Sequence, residues 1–453
     1  MGHDVGLPGM LIEIGAPVST DGGLVFVVRE LIQAKWFLSL MGGLHTAIIG
    51  YPNKSFGYAR EEKLRRGLLA LIVGMAMGYR SVNAIADVIN ADPLWRRTLG
   101  KRMSQPDLSR LMELLAEVGI PALRRAVAES AAEGRPGLNI DGDSSLIEAH
   151  GNQEDAAYNG HYHGHGFHAG WMVDTDAGKV IALWLNPGNA YTSQGQADML
   201  KQVSDMGIKV LSYRGDAGMP NVATFERLEQ EGATYTMRLK SNARLDKLAE
   251  PLLPAGPWQA GQMFMGEFEY AAKSWDRQRR VVAKLQKPKA KDGAEPLFWE
   301  GFYFVTNRGA SAAEVVKHYL LRGQAEQVFG EFLQTMTPNF RHQEIDKNEA
   351  WAQILALGFN TLVDLRKTLP REGAIRKVLK ITQDLMDPGF VAIAVERAKA
   401  FATASLVMFR AHALKLFNVF VKHARSEKLR VHPTMLRPGW PANLLEAAHA
   451  PIE

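Results

Sequence analysis

The chain contains no cysteine in its 453 residues. Disulfides, thiolate zinc sites and a cysteine nucleophile are therefore excluded, and a reducing compartment fits. No apolar run is long enough to span a bilayer, and the start lacks the basic-then-apolar pattern of a signal peptide. A cytoplasmic protein with no membrane partner is expected. There is no internal repeat and no low-complexity tract. Acidic charge is not in excess either: a formal net charge of +5 and a pI near 9.1 fit a polyanionic partner without requiring one. A composition 46% hydrophobic and 22% charged is that of a globular protein rather than a disordered one. The length predicts two or three domains rather than a single core.

What is present reads as a helical start, an α/β middle and a helical end. From about residue 20 to 135 apolar positions such as Leu68, Leu69, Leu71, Ile72 and Met75 recur at helical spacing. This predicts an N-terminal helical domain over 1–135. Its basic positions include Lys63, Arg65, Arg66, Arg80, Arg96, Arg97, Lys101 and Arg102, and a short helix is expected after Ser104, with Ser104 or Asp107 as cap and Pro106 in the first turn. Helix, turn and helix with basic flanks permit DNA docking, with Arg97 and Arg102 on phosphates. A solvated face of a bundle fits the same residues equally.

Pro136 and Gly137 mark a change to strands, expected at 138–143, 170–174, 180–185 and 208–213. A helix capped by Asn221 over 222–230 and a strand over 234–239 follow. The first part of an α/β core thus covers 136–240, with a mixed sheet under helices. Aromatic residues from Trp258 to Trp275 and the run 281–285 predict a β-rich insertion over 241–300, with a charged loop at 287–292. The core resumes over 301–370 with a strand at 302–306, a long helix at 312–334 and an apolar helix from Trp351 to Leu365. Beyond it, 371–453 is expected to be helical, notably 390–421, with a basic tail carrying Lys422, Arg425, Lys428, Arg430 and Arg437.

The acids stand out against this pattern. In Leu138-Asn-Ile-Asp-Gly-Asp-Ser-Ser145 the apolar Leu138 and Ile140 face one way. Asp141 and Asp143 share the other face, roughly 7 Å apart at Cα. A turn or helix cap explains such an octet as readily. Asp216 follows an apolar strand within Arg214-Gly-Asp-Ala-Gly218, and a strand's carboxyl end is where open α/β sheets place ligands. Tyr319, Arg322 and Glu326 are spaced to share a helical face. Three carboxylates on two strands and a helix supply the hard oxygen ligands that two Mg²⁺ ions need, and Arg322 suits a phosphate beside them. The bland alternatives are a turn aspartate at 216 and an intrahelical Arg322–Glu326 pair. The histidines 161, 163, 165 and 168 sit among glycines at 160, 164 and 166 that favour a loop, and no acid or thiolate completes a zinc set.

Asp143, Asp216 and Glu326, with the Tyr-two-Arg-three-Glu spacing of Tyr319, Arg322 and Glu326, resemble the DDE transposases of bacterial insertion sequences, most closely the thirteen-eighty group. Gly78-Tyr-Arg-Ser-Val-Asn83 with Ala91-Asp-Pro93, His150-Gly-Asn-Gln-Glu154 with Tyr158-Asn-Gly160, Arg322-Gly-Gln-Ala-Glu326 and Asn360 extend the likeness over almost the whole chain. The resemblance implies a ribonuclease-H-like core with a β-rich insertion between the second and third acids. It also implies Asp143, Asp216 and Glu326 as catalytic metal ligands for Mg²⁺, with Mn²⁺ as substitute. Tyr319 and Arg322 are then implied on flanking phosphates or a flipped base. The expected partners are terminal-repeat and target DNA, bound by a homodimer, and the expected location is the bacterial nucleoid. Two positions depart from the family pattern: Leu333 stands where it carries Lys, and Ser145 where it carries Thr. Asp141 is left as a supporting residue. A nuclease that cuts without joining and a non-catalytic DNA-binding protein are the competing readings.

Overall fold

The computed structural model describes residues 18–19, 21–51, 57–100, 102–256, 258–288, 298–368, 399–400, 405–414, 418–423 and 426–431. In chain order the elements begin with β1 (Val18–Ser19), α1 (Leu24–Gln33), α2 (Lys35–Ile49), α3 (Glu61–Ala76), α4 (Val82–Ala91), α5 (Pro93–Leu99), α6 (Gln105–Leu114) and α7 (Ile120–Ala132). Then come β2 (Leu138–Glu148), β3 (Ala157–Asn159), β4 (Gly164–Asp174), β5 (Lys179–Asn186), α8 (Gln196–Asp205), β6 (Val210–Gly215), α9 (Val222–Gln230), β7 (Thr234–Leu239) and α10 (Ala243–Ala249). β8 (Met263–Tyr270), β9 (Arg279–Gln286), β10 (Glu300–Thr306), α11 (Ala312–Leu320), α12 (Gly323–Met336) and α13 (Ile345–Thr368) follow. The last described elements are α14 (Leu406–Phe409), β11 (Asn418–His423) and β12 (Ser426–Val431). Among the described residues no helix is long and apolar enough to cross a membrane.

The chain divides into two compact units, one of Met1–Gly119, Glu331–Thr337 and Ile354–Glu453, the other of Ile120–Gly330 and Pro338–Gln353. In the first, short helices start where side chains can satisfy their free N–H groups. Ser81 accepts from Ala84 N, Asp92 from Leu94 N with Pro93 in the first turn, and Ser104 from Asp107 N. Their apolar faces bury Leu24, Phe37, Leu68, Ile72, Trp95 and Leu111 almost completely. Inside this core the carboxylate of Asp21 accepts the Tyr79 hydroxyl at 2.5 Å and the Trp95 indole N–H at 2.8 Å. The expected helix over 390–421 is corrected at its end. Residues 390–398 lie outside the described residues, and Asn418–His423 is a strand, paired on one side with β12 and on the other with β1. The β-branched and aromatic run Val419-Phe-Val421 favours a strand over a helix. Lys422, Lys428 and Arg430 stand on this hairpin, while Lys101, Arg425 and Arg437 lie outside the described residues.

The second unit holds the large sheet. β2, β4 and β5 run antiparallel one to the next, and β6 and β7 lie parallel to β2, in the order β5-β4-β2-β6-β7. Three antiparallel strands followed by two parallel ones reached through helices is the ribonuclease-H-like arrangement. The mixed α/β fold with flanking helices is as expected. The core between sheet and helices is built by Leu138, Ile140, Met172, Leu200, Tyr213, Phe225 and Met237. The β-rich stretch is not a separate layer: β10 pairs with β7, β9 with β10 and β8 with β9, so it widens the same sheet. The long helix expected over 312–334 is two helices. Tight turns from Tyr319 O to Arg322 N at 2.9 Å and from Arg322 O to Ala325 N at 2.8 Å break it, leaving Arg322 at the joint.

Candidate active site

Register places the acids. β2 and β6 pair with Asp141 beside Arg214 and Gly142 beside Gly215. Carried one residue further, the same register sets Asp216 beside Asp143, on parallel strands about 4.8 Å apart. Because side chains alternate, Asp141 and Asp143 share a face of β2, and Arg214 and Asp216 share the matching face of β6. Asp216 lies just beyond the strand in a turn closed by its own carboxylate, which accepts Gly218 N at 2.9 Å. Asp216 thus stands just past the carboxyl end of β6, alongside Asp143 in the middle of the longer β2.

The third acid comes from the helical joint. Arg322 reaches back from the start of α12 and donates to Asp143 Oδ2 at 2.5 Å and to Glu326 Oε1 at 3.3 Å. The intrahelical pair is therefore present, but the guanidinium also bridges the helix to β2. Its Nε is buried with no hydrogen-bond partner. Burial pushes the Asp143 carboxyl up to about 6, and the negative charges of Asp216 and Glu326 push the same way against Arg322 and the Ser144 N–H. Tyr319 packs its ring on Phe304, centroids 4.7 Å apart, and its hydroxyl is raised chiefly by burial.

Around the acids stand groups that sequence reasoning missed. Gln196, fully buried, donates to the backbone carbonyl of Asp143 at 3.3 Å and accepts the Tyr213 hydroxyl at 3.1 Å. Gly142 has to be glycine, since a Cβ there would overlap that hydroxyl. Tyr162 donates to Ser144 O at 2.9 Å, and its hydroxyl is raised by burial and by the charges of Asp143 and Asp216. A glycine between two aspartates was the one signal in the sequence that the strand is closely approached.

The histidines do not converge. His161 and His163 lie in a turn, but β4 begins at Gly164, so the expected loop gives way to strand there. His165 is exposed, whereas His168 is buried, bonded through Nε2 to Ser144 Oγ at 2.9 Å and donating from Nδ1 to Ala190 O at 2.7 Å. Gly166 suits the strand because a Cβ would meet the backbone of Ile147. Arg97 and Arg102 are both exposed, in the other unit, with Arg97 in the last turn of α5.

Among the described residues no three His, Asp or Glu side chains are gathered closely enough to hold a metal ion. The chemistry of the donor set nonetheless fits a hard divalent cation. Asp216 and Glu326 stand near enough to raise the Asp143 carboxyl by repulsion, and one guanidinium is bonded to two of the three carboxylates.

A ribonuclease-H-like sheet with Asp143 within one strand, Asp216 just past the end of its parallel neighbour and Glu326 on a following helix is the arrangement of a DDE-type domain. The chain belongs to the family described as transposase DDE domain group 1, whose model matches residues 13–405. It is a DDE transposase. Among solved structures it is similar to the piggyBac transposase in a synaptic complex with hairpin DNA, at 12% identity and a TM-score of 0.43, over 77% of this chain and 76% of that one. No curated protein matches.

Proposed function

We propose that this transposase cleaves DNA at terminal inverted repeats and joins the freed 3′ ends to target DNA, with Asp143, Asp216 and Glu326 as its catalytic carboxylates. The observation that carries this is the β2–β6 register, which ends with Gly142 beside Gly215 and so brings Asp143 and Asp216 to the next positions, together with the Arg322 bridge from Asp143 to Glu326. The three carboxylates would hold Mg²⁺, with Mn²⁺ as substitute, which supplies activation of the attacking oxygen and stabilisation of the leaving oxygen. In the first step a water oxygen attacks phosphorus and the bond to O3′ breaks, leaving a 3′-hydroxyl. In the second, that hydroxyl oxygen attacks a phosphorus of target DNA and displaces a second 3′-oxygen. The Arg322 guanidinium, and Tyr319 beside it, would take phosphate oxygens flanking the reacting one. Arg97 and Arg102 would lie on phosphates of the repeat. Concerted joining needs two ends together, so a homodimer is the complex expected on DNA.

A labelled duplex carrying one terminal repeat and its flank, incubated with full-length protein and Mg²⁺, tests the reading. Cleavage followed by joining to a second duplex is the expected result. Cleavage without joining would make the protein a nuclease, and binding without cleavage would make it a DNA-binding protein only.

A further inference from the structure

A buried ion pair lies behind the acids, unused by the chemistry just described. Asp141 is fully buried and Arg214 is 5% exposed. The guanidinium grips the carboxylate as a fork, Nε to Oδ1 at 2.5 Å and Nη2 to Oδ2 at 2.7 Å. Its other contacts are Nη2 with Thr175 Oγ1 at 3.0 Å and Nη1 with the His318 carbonyl at 3.1 Å. One side chain therefore ties together β2, β6, the turn after β4 and the last turn of α11.

Stability alone does not call for this arrangement, because apolar residues of similar volume in such a place usually stabilise a fold as well as a buried ion pair does. Position suggests the reason. Asp141 stands two residues before Asp143 on one strand and Arg214 two residues before Asp216 on the other, all on one face. A one-residue slip of β6 against β2 would turn the apolar set outward. A two-residue slip would keep every apolar side chain facing inward, so hydrophobic patterning alone does not forbid it. It would, however, separate Asp216 from Asp143, and it would also break the buried Asp141–Arg214 pair. The fork removes that alternative. Through His318 it also fixes the end of α11, from which Tyr319 and then Arg322 follow directly.

We propose that Arg214 is a positioning residue of the acid site. By locking the β2–β6 register and the α11 terminus with Asp141, it keeps Asp143 and Asp216 on adjacent positions and sets where the helix carrying Glu326 begins, the starting arrangement from which a divalent cation would gather the three acids. The proposal rests on the reading of those acids as metal ligands.

The test measures Mn²⁺ binding to the full-length protein by the electron paramagnetic resonance signal of free Mn²⁺, and thermal stability alongside. Arg214→Lys keeps the charge and loses the fork. It should raise the Mn²⁺ concentration for half-saturation by about tenfold, the lower end of what groups that orient metal ligands contribute. Affinity for DNA in the presence of a chelator should stay close to that of the wild type. Arg279→Lys is the comparison, since Arg279 is also buried and paired, with Glu229 at 3.1 Å and Asp276 at 2.7 Å, on β9. It should lower the melting temperature without moving Mn²⁺ half-saturation. Thr175→Val removes one restraint on Arg214 and leaves the pair intact, so it covers the case in which Arg214→Lys does not fold. It should move half-saturation in the same direction by a smaller factor. The proposal is overturned if Arg214→Lys, or Thr175→Val where the former does not fold, leaves half-saturation at the wild-type value whatever happens to melting. If the wild type itself shows no Mn²⁺ binding that depends on Asp143, the metal reading of the acids fails and takes the proposal with it.

Discussion

Replacing Asp143 by Asn should remove the carboxylate proposed as catalytic and make the metal-free protein relatively more stable at alkaline pH. The side chain of Asp143 is 18% exposed, and its carboxyl is pushed from an ordinary 3.8 up to about 6. An acid whose folded value is raised holds its proton more tightly in the folded state. Its stabilising contribution is therefore complete below the unfolded value and lost as pH rises through the folded one. The whole gap corresponds to roughly 3 kcal/mol, of which about 1.4 kcal/mol falls between pH 8 and pH 5. The amide of Asp143→Asn carries no such proton. In urea unfolding with a chelator present, the stability difference between variant and wild type should shift by about that 1.4 kcal/mol between the two pH values, in favour of the variant at pH 8. Adding Mg²⁺ at pH 8 should reverse the order, since the wild type alone gains about 2.7 kcal/mol at a hundredfold excess over the dissociation constant. Equal pH dependence in both proteins, or equal stabilisation of both by Mg²⁺, would refute the reasoning. This is the usual conflict between a site built to bind and a fold built to last.

Arg322→Ala should weaken DNA positioning by about 1.5 to 3 kcal/mol, and Arg322→Lys should restore part of it because a point charge does not reproduce the fork. Full recovery with Lys, in a binding titration on flank-containing duplex, would reduce Arg322 to a counter-charge for Asp143 and Glu326. Gly142→Ala drives a methyl group into the Tyr213 hydroxyl, which should cost about 1 to 3 kcal/mol of stability and disturb the Gln196 bond to Asp143. Unchanged melting would mean that the strand yields more readily than its packing indicates. Removing Arg97 or Arg102 should flatten the dependence of log affinity on log salt by about 0.9 each if they neutralise phosphates. An unaltered slope with lost discrimination between repeat and random duplex would put them on base edges instead.

Local signals were legible where one residue decides them. The helix over Val222–Gln230 and the strand over Thr234–Leu239 stand where the Asn221 cap and the change of period put them. Ser104 caps α6, with Pro106 in the first turn. Features that depend on pairing were hidden. Asp141 read only as a supporting acid on its strand and Arg214 carried no role of its own, and only the β2–β6 register joins them. Nothing in residues 263–286 says that β8 and β9 extend the central sheet rather than form their own, since alternation looks the same in both. The break at Leu321 and Arg322 was masked by apolar spacing that runs on through it. Leu320 and Leu321 are instead exposed, 65% and 48%, as residues at a joint between helices are free to be. The site followed the same rule: the three acids could be picked out one by one, but Gln196, Tyr213 and Tyr162 became visible only once the sheet brought them alongside.

The most direct measurement of the central claim is metal-dependent cleavage of a terminal-repeat duplex by Asp143→Asn, Asp216→Asn, Glu326→Gln and Asp141→Asn, each compared with the wild type for DNA binding. The first three should bind DNA nearly as the wild type does and cut at background rate in Mg²⁺ or Mn²⁺, because each loses a charged ligand at constant volume. Asp141→Asn should retain measurable cleavage at raised metal concentration. Normal cleavage by any of the first three would contradict the assignment of the site, and cleavage lost only in Asp141→Asn would move the first ligand from Asp143 to Asp141.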